Sequence, residues 1–92
     1  MFKLSVANVI KLNEKISGNG IPGCGWSTGR YQVLSISPAY GTTGSDRANP
    51  KCQNYTFVRI KKDGSRYGSY QGYNALAFDR DFLATEKAVK IS

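Results

Sequence analysis

The chain has 92 residues, of which 40 % are hydrophobic and 21 % are charged, and this balance is typical of one globular domain (residues 1–92) rather than a disordered chain. Thirteen basic against six acidic residues give a net charge of +7, which favours polyanions or acidic protein surfaces as partners. No apolar run approaches the roughly 20 residues of a membrane span, and the first residues lack the continuous apolar segment of a signal peptide. We therefore expect a mature, cytoplasmic protein.

The first predicted element lies within residues 2–16, where apolar and polar side chains alternate. The apolar side chains of one parity are Phe2, Leu4, Val6, Ile10, Leu12 and Ile16. This alternation is the period of a strand, but Val9 breaks it and lets the segment also fit a helical face. We expect a strand that starts at Phe2 and bends near Asn8, with a short helix over residues 5–17 as the alternative.

Two long loops flank the second predicted strand. Residues 17–30 hold five glycines and one proline, a density that neither a helix nor a central strand tolerates. Residues 31–36 then read as a strand that Pro38 ends, and residues 38–54 form a second polar loop. Loops of this length in a compact domain are often functional.

The two cysteines, Cys24 and Cys52, fall in these loops. A disulfide between them is conceivable, but without a secretory segment we expect two thiols that are not obligately bridged. Because the chain has no histidine, two cysteines cannot complete a zinc site, so no metal is expected.

The second half of the chain predicts a β-hairpin. Residues 55–62 form a strongly β-favouring run, and residues 66–73 return as the partner strand. Asp63 and Gly64 lie between them, a dipeptide that suits a tight hairpin turn because it accepts positive φ.

A short helical turn is predicted before the last strand. Leu76 and Phe78 indicate one more short extended piece, and Asp79 can cap a helical turn over residues 81–86. Residues 88–91 have the composition of a closing strand.

This order of elements resembles the small five-stranded barrels of the Src-homology, Tudor and KOW type. In those barrels a helical turn precedes the last strand, much as DRDFLATE precedes AVKI here. We therefore expect a mainly β (β-rich α+β) fold: a small open five-stranded barrel or antiparallel sheet with long loops and a short helical turn near the C-terminus. The resemblance also implies binding of peptides, modified side chains or nucleic acid rather than catalysis.

Catalytic groups are scarce, so we expect neither an enzyme nor a cofactor. The chain lacks histidine, the usual general base near neutral pH, and it lacks a GxSxG nucleophile elbow. The stretch GNGIPGCG has glycines but no lysine-serine or lysine-threonine pair for a phosphate loop. Asp79 and Asp81 could hold a metal in principle, but at a helix start they are interpreted as capping residues.

The hairpin over residues 54–73, NYTFVRIKKDGSRYGSYQGY, is the candidate functional segment. It combines cations, which attract phosphate or carboxylate, with aromatic faces that stack on planar groups. The candidate anion-binding residues are Arg59, Lys61, Lys62, Arg66, Tyr67, Tyr70 and Tyr73. The same composition also suits an ordinary half-buried hairpin. The spacing of the tyrosines puts Tyr70 on the opposite face from the other two unless a glycine bulge realigns them, and at least one should pack inside.

A second candidate group surrounds the only tryptophan. Trp26, Arg30 and Tyr31 could form a partner-binding loop, since these residue types dominate binding hot spots. The alternative is that Trp26 folds back as the lid of a small core.

These observations predict a non-enzymatic, small basic protein that binds an anionic partner through the hairpin. Single-stranded nucleic acid is favoured over an acidic protein surface. The alternatives are a small inhibitor or accessory protein, of the kind that phages and mobile elements encode, which occludes a host protein through its loops, and a nucleotide-binding module.

Overall fold

A computed structural model describes residues 2–16 and 25–92, which form one open antiparallel sheet with a short helical segment. The strands and the α-helix in chain order are β1 (Val9–Leu12), β2 (Gly29–Pro38), β3 (Gln53–Ile60), β4 (Arg66–Asn74), α1 (Ala75–Phe78) and β5 (Ala88–Lys90), and two 3-10 helices, Gly44–Ala48 and Pro50–Cys52, lie between β2 and β3. The strand order is β4-β3-β2-β1-β5, so β4 and β5 are the edges. The predicted mainly β fold with an open antiparallel sheet is confirmed.

The N-terminal segment contains a turn and a strand, and no helix lies within residues 2–16. The strand starts at Val9 rather than at Phe2, which corrects the predicted boundary. The reason is a tight turn in which the Ser5 N–H donates to Asn8 Oδ1 at 2.7 Å and Ala7 adopts a φ of 77°. The predicted bend near Asn8 is therefore present, and it is this bend that delays the strand.

The predicted hairpin is confirmed, with β3 and β4 antiparallel around the turn that contains Asp63 and Gly64. The Gly64 N–H donates to the Lys61 carbonyl at 3.0 Å, and Gly64 alone in this turn adopts a positive φ, 90°. Asp63 Oδ1 accepts from the Ser65 hydroxyl at 2.6 Å and from its N–H at 2.9 Å, and these hydrogen bonds lower the pKa of the Asp63 carboxyl. Strand β3 ends earlier than predicted because the turn begins at Lys61.

The region after β4 differs from the sequence-based expectation. Leu76 and Phe78 belong to α1 rather than to an extended piece, because Asn74 caps the helix by accepting from the Ala77 N–H at 3.0 Å. The Asp79 side chain does not cap the following turn, although the Asp79 backbone N–H caps the C-terminal end of α1. Asp79 begins a π-helical turn, Asp79–Leu83, and its carboxylate is buried against the sheet.

The core lies between one face of the sheet and this helical segment. Paired positions on that face are buried or packed against the core: Ile10 with Tyr31, Val33 with Phe57, and Tyr55 with Tyr73. Trp26 bridges to Ile16 and contacts the rings of Tyr31, Phe57, Tyr73 and Phe78 at centroid distances of 5.4–6.2 Å. The helical segment therefore covers the face of the sheet that carries these residues. On the opposite face Val58 and Ile60 are buried as well.

A buried pair ties the N-terminal segment to the helical turn. The Tyr55 hydroxyl donates to Asp79 Oδ1 at 2.7 Å and accepts from the Leu4 N–H at 3.2 Å, while the Lys3 N–H donates to Asp79 Oδ2 at 3.1 Å. Burial raises the pKa of the Tyr55 hydroxyl above its ordinary value, and the hydrogen bond to Asp79 raises it further.

A stability change at alkaline pH follows from Tyr55. A phenol whose pKa is raised on folding contributes stability that is fully present below its unfolded pKa of about 10 and is lost as pH rises toward the folded pKa. We expect the free energy of unfolding to fall above about pH 10, and the Tyr55→Phe variant to show a smaller fall. Denaturant unfolding of both proteins across that range measures it. Equal pH slopes would contradict the assignment.

Within the two described ranges, no helix is both long and apolar enough to cross a membrane.

Candidate functional site

A basic cleft lies where β3 ends and the hairpin turn begins. Its volume is about 390 Å³, and its lining residues are Lys11, Gly29, Arg30, Arg59, Ile60, Lys61, Lys62 and Tyr67. Five of these eight residues are lysine or arginine, and none is acidic. A concave site with this charge attracts anions and repels cations.

The sheet register brings distant parts of the chain to this cleft. Lys11 on β1 pairs with Arg30 on β2, and Arg30 pairs with Ile60 on β3. Because directly paired residues share a face of the sheet, the side chains of Lys11 and Arg30 lie next to each other. Two like charges at paired positions repel each other, and a bound anion would remove that repulsion.

Arg59 is the most firmly held cation of the cleft. Its Nη2 donates to the Thr28 carbonyl at 3.0 Å. Its guanidinium carbon lies 5.9 Å from the Tyr31 ring centroid and 5.3 Å from that of Tyr67, both within the range of cation–π attraction. Its Nε is buried and has no hydrogen-bond partner among the described residues. The guanidinium is therefore positioned before any ligand arrives.

Two glycines make room for this arrangement. A Cβ at Gly29 would lie 3.1 Å from Arg59 Nη2, and Gly29 has a φ of 144°, so a larger residue there would push the guanidinium away. On β4 the register shifts opposite Arg59, and Gly68 in this bulge has a φ of 89°. The bulge coincides with the close approach of Tyr67 to Arg59.

Two cations make cation–π contacts with the ring of Tyr67. Besides the Arg59 contact, Lys61 Nζ lies 5.7 Å from the ring centroid. The tyrosine remains 43 % exposed, so part of the ring is open to solvent. An aromatic ring beside several cations is the combination that holds a phosphate and an adjoining base in single-stranded nucleic-acid sites.

The positive charge of the cleft is not neutralised within the protein. The ion pairs in the described part of the chain join Arg80 to Asp81 at 2.7 Å and Lys87 to Glu14 at 3.7 Å, and neither involves a cleft residue. The rest of the chain, Met1 and residues 17–24, contains no aspartate or glutamate. The five cations therefore have no acidic partner from this chain.

The predicted hairpin residues divide into three groups. Arg59, Lys61, Lys62 and Tyr67 line the cleft. Arg66 is paired with Ile60 beside it, and Tyr70, 65 % exposed, is paired with Val58 further along the sheet. Tyr73 packs against the core through Trp26, Phe78 and Phe82. One tyrosine thus packs inside, as expected, and the other two stay accessible.

The structure buries two of the three residues of the predicted partner-binding loop. Trp26 is only 4 % exposed, and Tyr31 is buried with its hydroxyl donating to the Ser27 carbonyl at 2.7 Å. Both rings complete the aromatic core, so neither presents an exposed anchor, and the alternative of a core lid describes Trp26. Arg30 is the member of this group that reaches the cleft.

Three cleft residues were missed by sequence reasoning: Lys11, Gly29 and Ile60. Lys11 occupies a polar position in an alternating strand, which indicates an accessible side chain but no particular neighbour. Only the register between β1, β2 and β3 brings it to the hairpin.

The other candidate groups lie elsewhere. Asp81 pairs with Arg80, whose hydrogen bonds lower the pKa of the Asp81 carboxyl, while Asp79 bonds with Tyr55. Among the residues described here, no three histidine, cysteine, aspartate or glutamate side chains are grouped to hold a metal ion. Cys24, and with it the predicted lack of an obligatory bridge to Cys52, lies outside the described residues.

No protein-family model matches this sequence, and neither a curated protein nor a solved structure matches the chain.

Proposed function

We propose that the protein is a non-enzymatic binding module that holds single-stranded nucleic acid in the basic cleft. The observation that carries the proposal is the convergence of five cations and one partly exposed tyrosine on a cleft without a single acidic lining residue. The cytoplasmic location expected from the sequence stays a prediction.

The chemistry favours nucleic acid over an acidic protein surface. Carboxylates of a protein partner would pair with the cations but would leave the exposed part of the Tyr67 ring without a flat partner. A single strand supplies phosphates for the cations and a base for the ring. The preformed position of Arg59 favours binding of an anion in either case, because a guanidinium fixed before binding loses little side-chain freedom when the anion arrives.

The proposal is tested with a fluorescent single-stranded oligonucleotide titrated over a series of salt concentrations. We expect binding at low salt that weakens steeply as salt is added, because counterions released from the strand drive the association. The double variant Lys61→Ala/Lys62→Ala should bind more weakly, and its salt slope should be smaller by about 0.7 for each phosphate that the variant no longer neutralises.

A second double variant provides the matched control. Lys15 and Lys51 are exposed lysines that do not line the cleft, and Lys51 lies before β3, at the opposite end of that strand. Lys15→Ala/Lys51→Ala removes the same net charge, so it should leave the affinity and the slope nearly unchanged. Equal reductions in the two variants would contradict a local site. A lack of binding by the unmodified protein would remove the nucleic-acid proposal and favour a protein-inhibitor role instead.

A further inference from the structure

We infer that the basic cleft takes a terminal phosphate group, a phosphomonoester or polyphosphate next to a base, in preference to an internal phosphodiester. This inference rests on the proposed function and names the chemical group that the cleft selects. A terminal phosphate concentrates its negative charge at one point, whereas the phosphodiesters of a strand spread theirs along its length. In the same way, a cleft concentrates positive charge, whereas a long groove spreads it.

The charge density of the cleft suits a terminal phosphate. An internal phosphodiester carries one negative charge, and a strand distributes such charges along its length. A terminal phosphate carries about −1.5 to −2 at pH 7 on three strong acceptor oxygens. Five cations from β1, β2, β3 and the hairpin turn line one cleft of about 390 Å³ here. Converging cations match a concentrated charge better than a distributed one.

The size of the cleft also suits a terminal group. A volume of about 390 Å³ lies within the range of roughly 300–1,000 Å³ in which proteins hold small ligands. One end of a strand, or a single nucleotide, fits such a space.

The cleft combines one fixed cation with several flexible ones. Arg59 is anchored by Thr28 and the two tyrosine rings, so it presents a guanidinium in a set position. The exposed lysines, Lys11, Lys61 and Lys62, have long flexible stems that can close around the oxygens of a terminal group. A phosphate with three free oxygens can accept from several of them at once, whereas a diester has two.

The test compares oligonucleotides of one sequence with a 5′-hydroxyl, a 5′-phosphate or a 3′-phosphate end. We expect at least one phosphorylated end to raise the affinity by about tenfold or more, the effect of a good charge-assisted hydrogen bond. Free nucleoside monophosphate and triphosphate serve as competitors. If the free nucleotides displace the oligonucleotide strongly, the ligand of the cleft is a nucleotide; if they displace it weakly, the ligand is the end of a strand. Both results are consistent with selection of a terminal phosphate.

Two controls make the comparison specific to the cleft. Lys11→Ala should reduce the affinity ratio between phosphorylated and hydroxyl ends, whereas Lys51→Ala should keep it, with unfolding midpoints recorded to show that both variants fold. Lowering the pH from about 7.5 to about 5.5 should also reduce the ratio, because a terminal phosphate has a second pKa near 6 and the chain has no histidine to titrate there.

The experiment distinguishes failure of the terminal-phosphate inference from failure of the proposed function. Equal affinity for hydroxyl and phosphate ends overturns the inference while the proposed function stands. A ratio that Lys11→Ala leaves unchanged also overturns it, because the selective group would then lie elsewhere. A lack of binding by every strand overturns the proposed function and the inference with it.

Discussion

Replacing Trp26 with alanine is expected to lower the free energy of unfolding by about 3–5 kcal/mol, the usual cost of truncating a large buried aromatic residue. The ring is 4 % exposed and packs against four other aromatic rings, so its removal would leave a cavity at the centre of the core. A change of this size is a large part of the roughly 5–15 kcal/mol that stabilises a typical domain. Denaturant unfolding followed by circular dichroism measures it.

Two further variants control this experiment. Trp26→Phe should lose less stability than Trp26→Ala, because a smaller ring still fills part of the space. Tyr40→Ala should change stability little, because Tyr40 is fully exposed. If Trp26→Ala unfolded with nearly unchanged free energy, the placement of this residue in the core would be wrong, and an exposed anchor would be the better description.

Replacing Tyr67 with alanine is expected to weaken oligonucleotide binding by roughly 1–3 kcal/mol, the usual effect of removing one base-stacking ring. This corresponds to an affinity reduced by about fivefold to more than a hundredfold. The salt dependence should stay nearly unchanged, because the substitution removes no charge. The same fluorescence titration measures both quantities, and Tyr67→Phe should keep most of the affinity.

The matched control for this variant is Tyr40→Ala, which removes an exposed tyrosine that does not line the cleft. It should bind the oligonucleotide as the unmodified protein does. Equal reductions in the two variants would show that tyrosines contribute through general surface properties, and a reduced salt slope in Tyr67→Ala would show that its ring acts by positioning Lys61 and Arg59.

The hairpin could be predicted from sequence because its signals are local. A run of β-favouring residues ends at Asp63 and Gly64, and the structure turns there with Gly64 at positive φ. The helix α1 could not be predicted in the same way. Four residues are too few to show a helical period, and two apolar residues two positions apart also fit a strand. The decisive feature was Asn74, whose side chain caps the helix.

Only those cleft residues that are close together in the sequence could be predicted. Arg59, Lys61, Lys62 and Tyr67 are close in sequence, so a hairpin alone brings them together. Lys11 and Arg30 reach the cleft because β1 pairs with β2 and β2 pairs with β3. No local sequence pattern encodes that register. Burial of Trp26 was open at the sequence level, because a glycine-rich loop can present a ring to solvent or fold it onto a core.

Backbone amide shifts in a nuclear magnetic resonance titration show most directly whether the anionic partner occupies the basic cleft. A short 5′-phosphorylated single strand is added at low salt to the unmodified, isotope-labelled protein. We predict that the largest shift changes map to Lys11, Gly29, Arg30, residues 59–62 and Tyr67, with little change at Tyr40 or Lys51. Shifts that concentrate on the loop over residues 39–52 or on β5, or shifts spread evenly over all exposed lysines, would contradict the account.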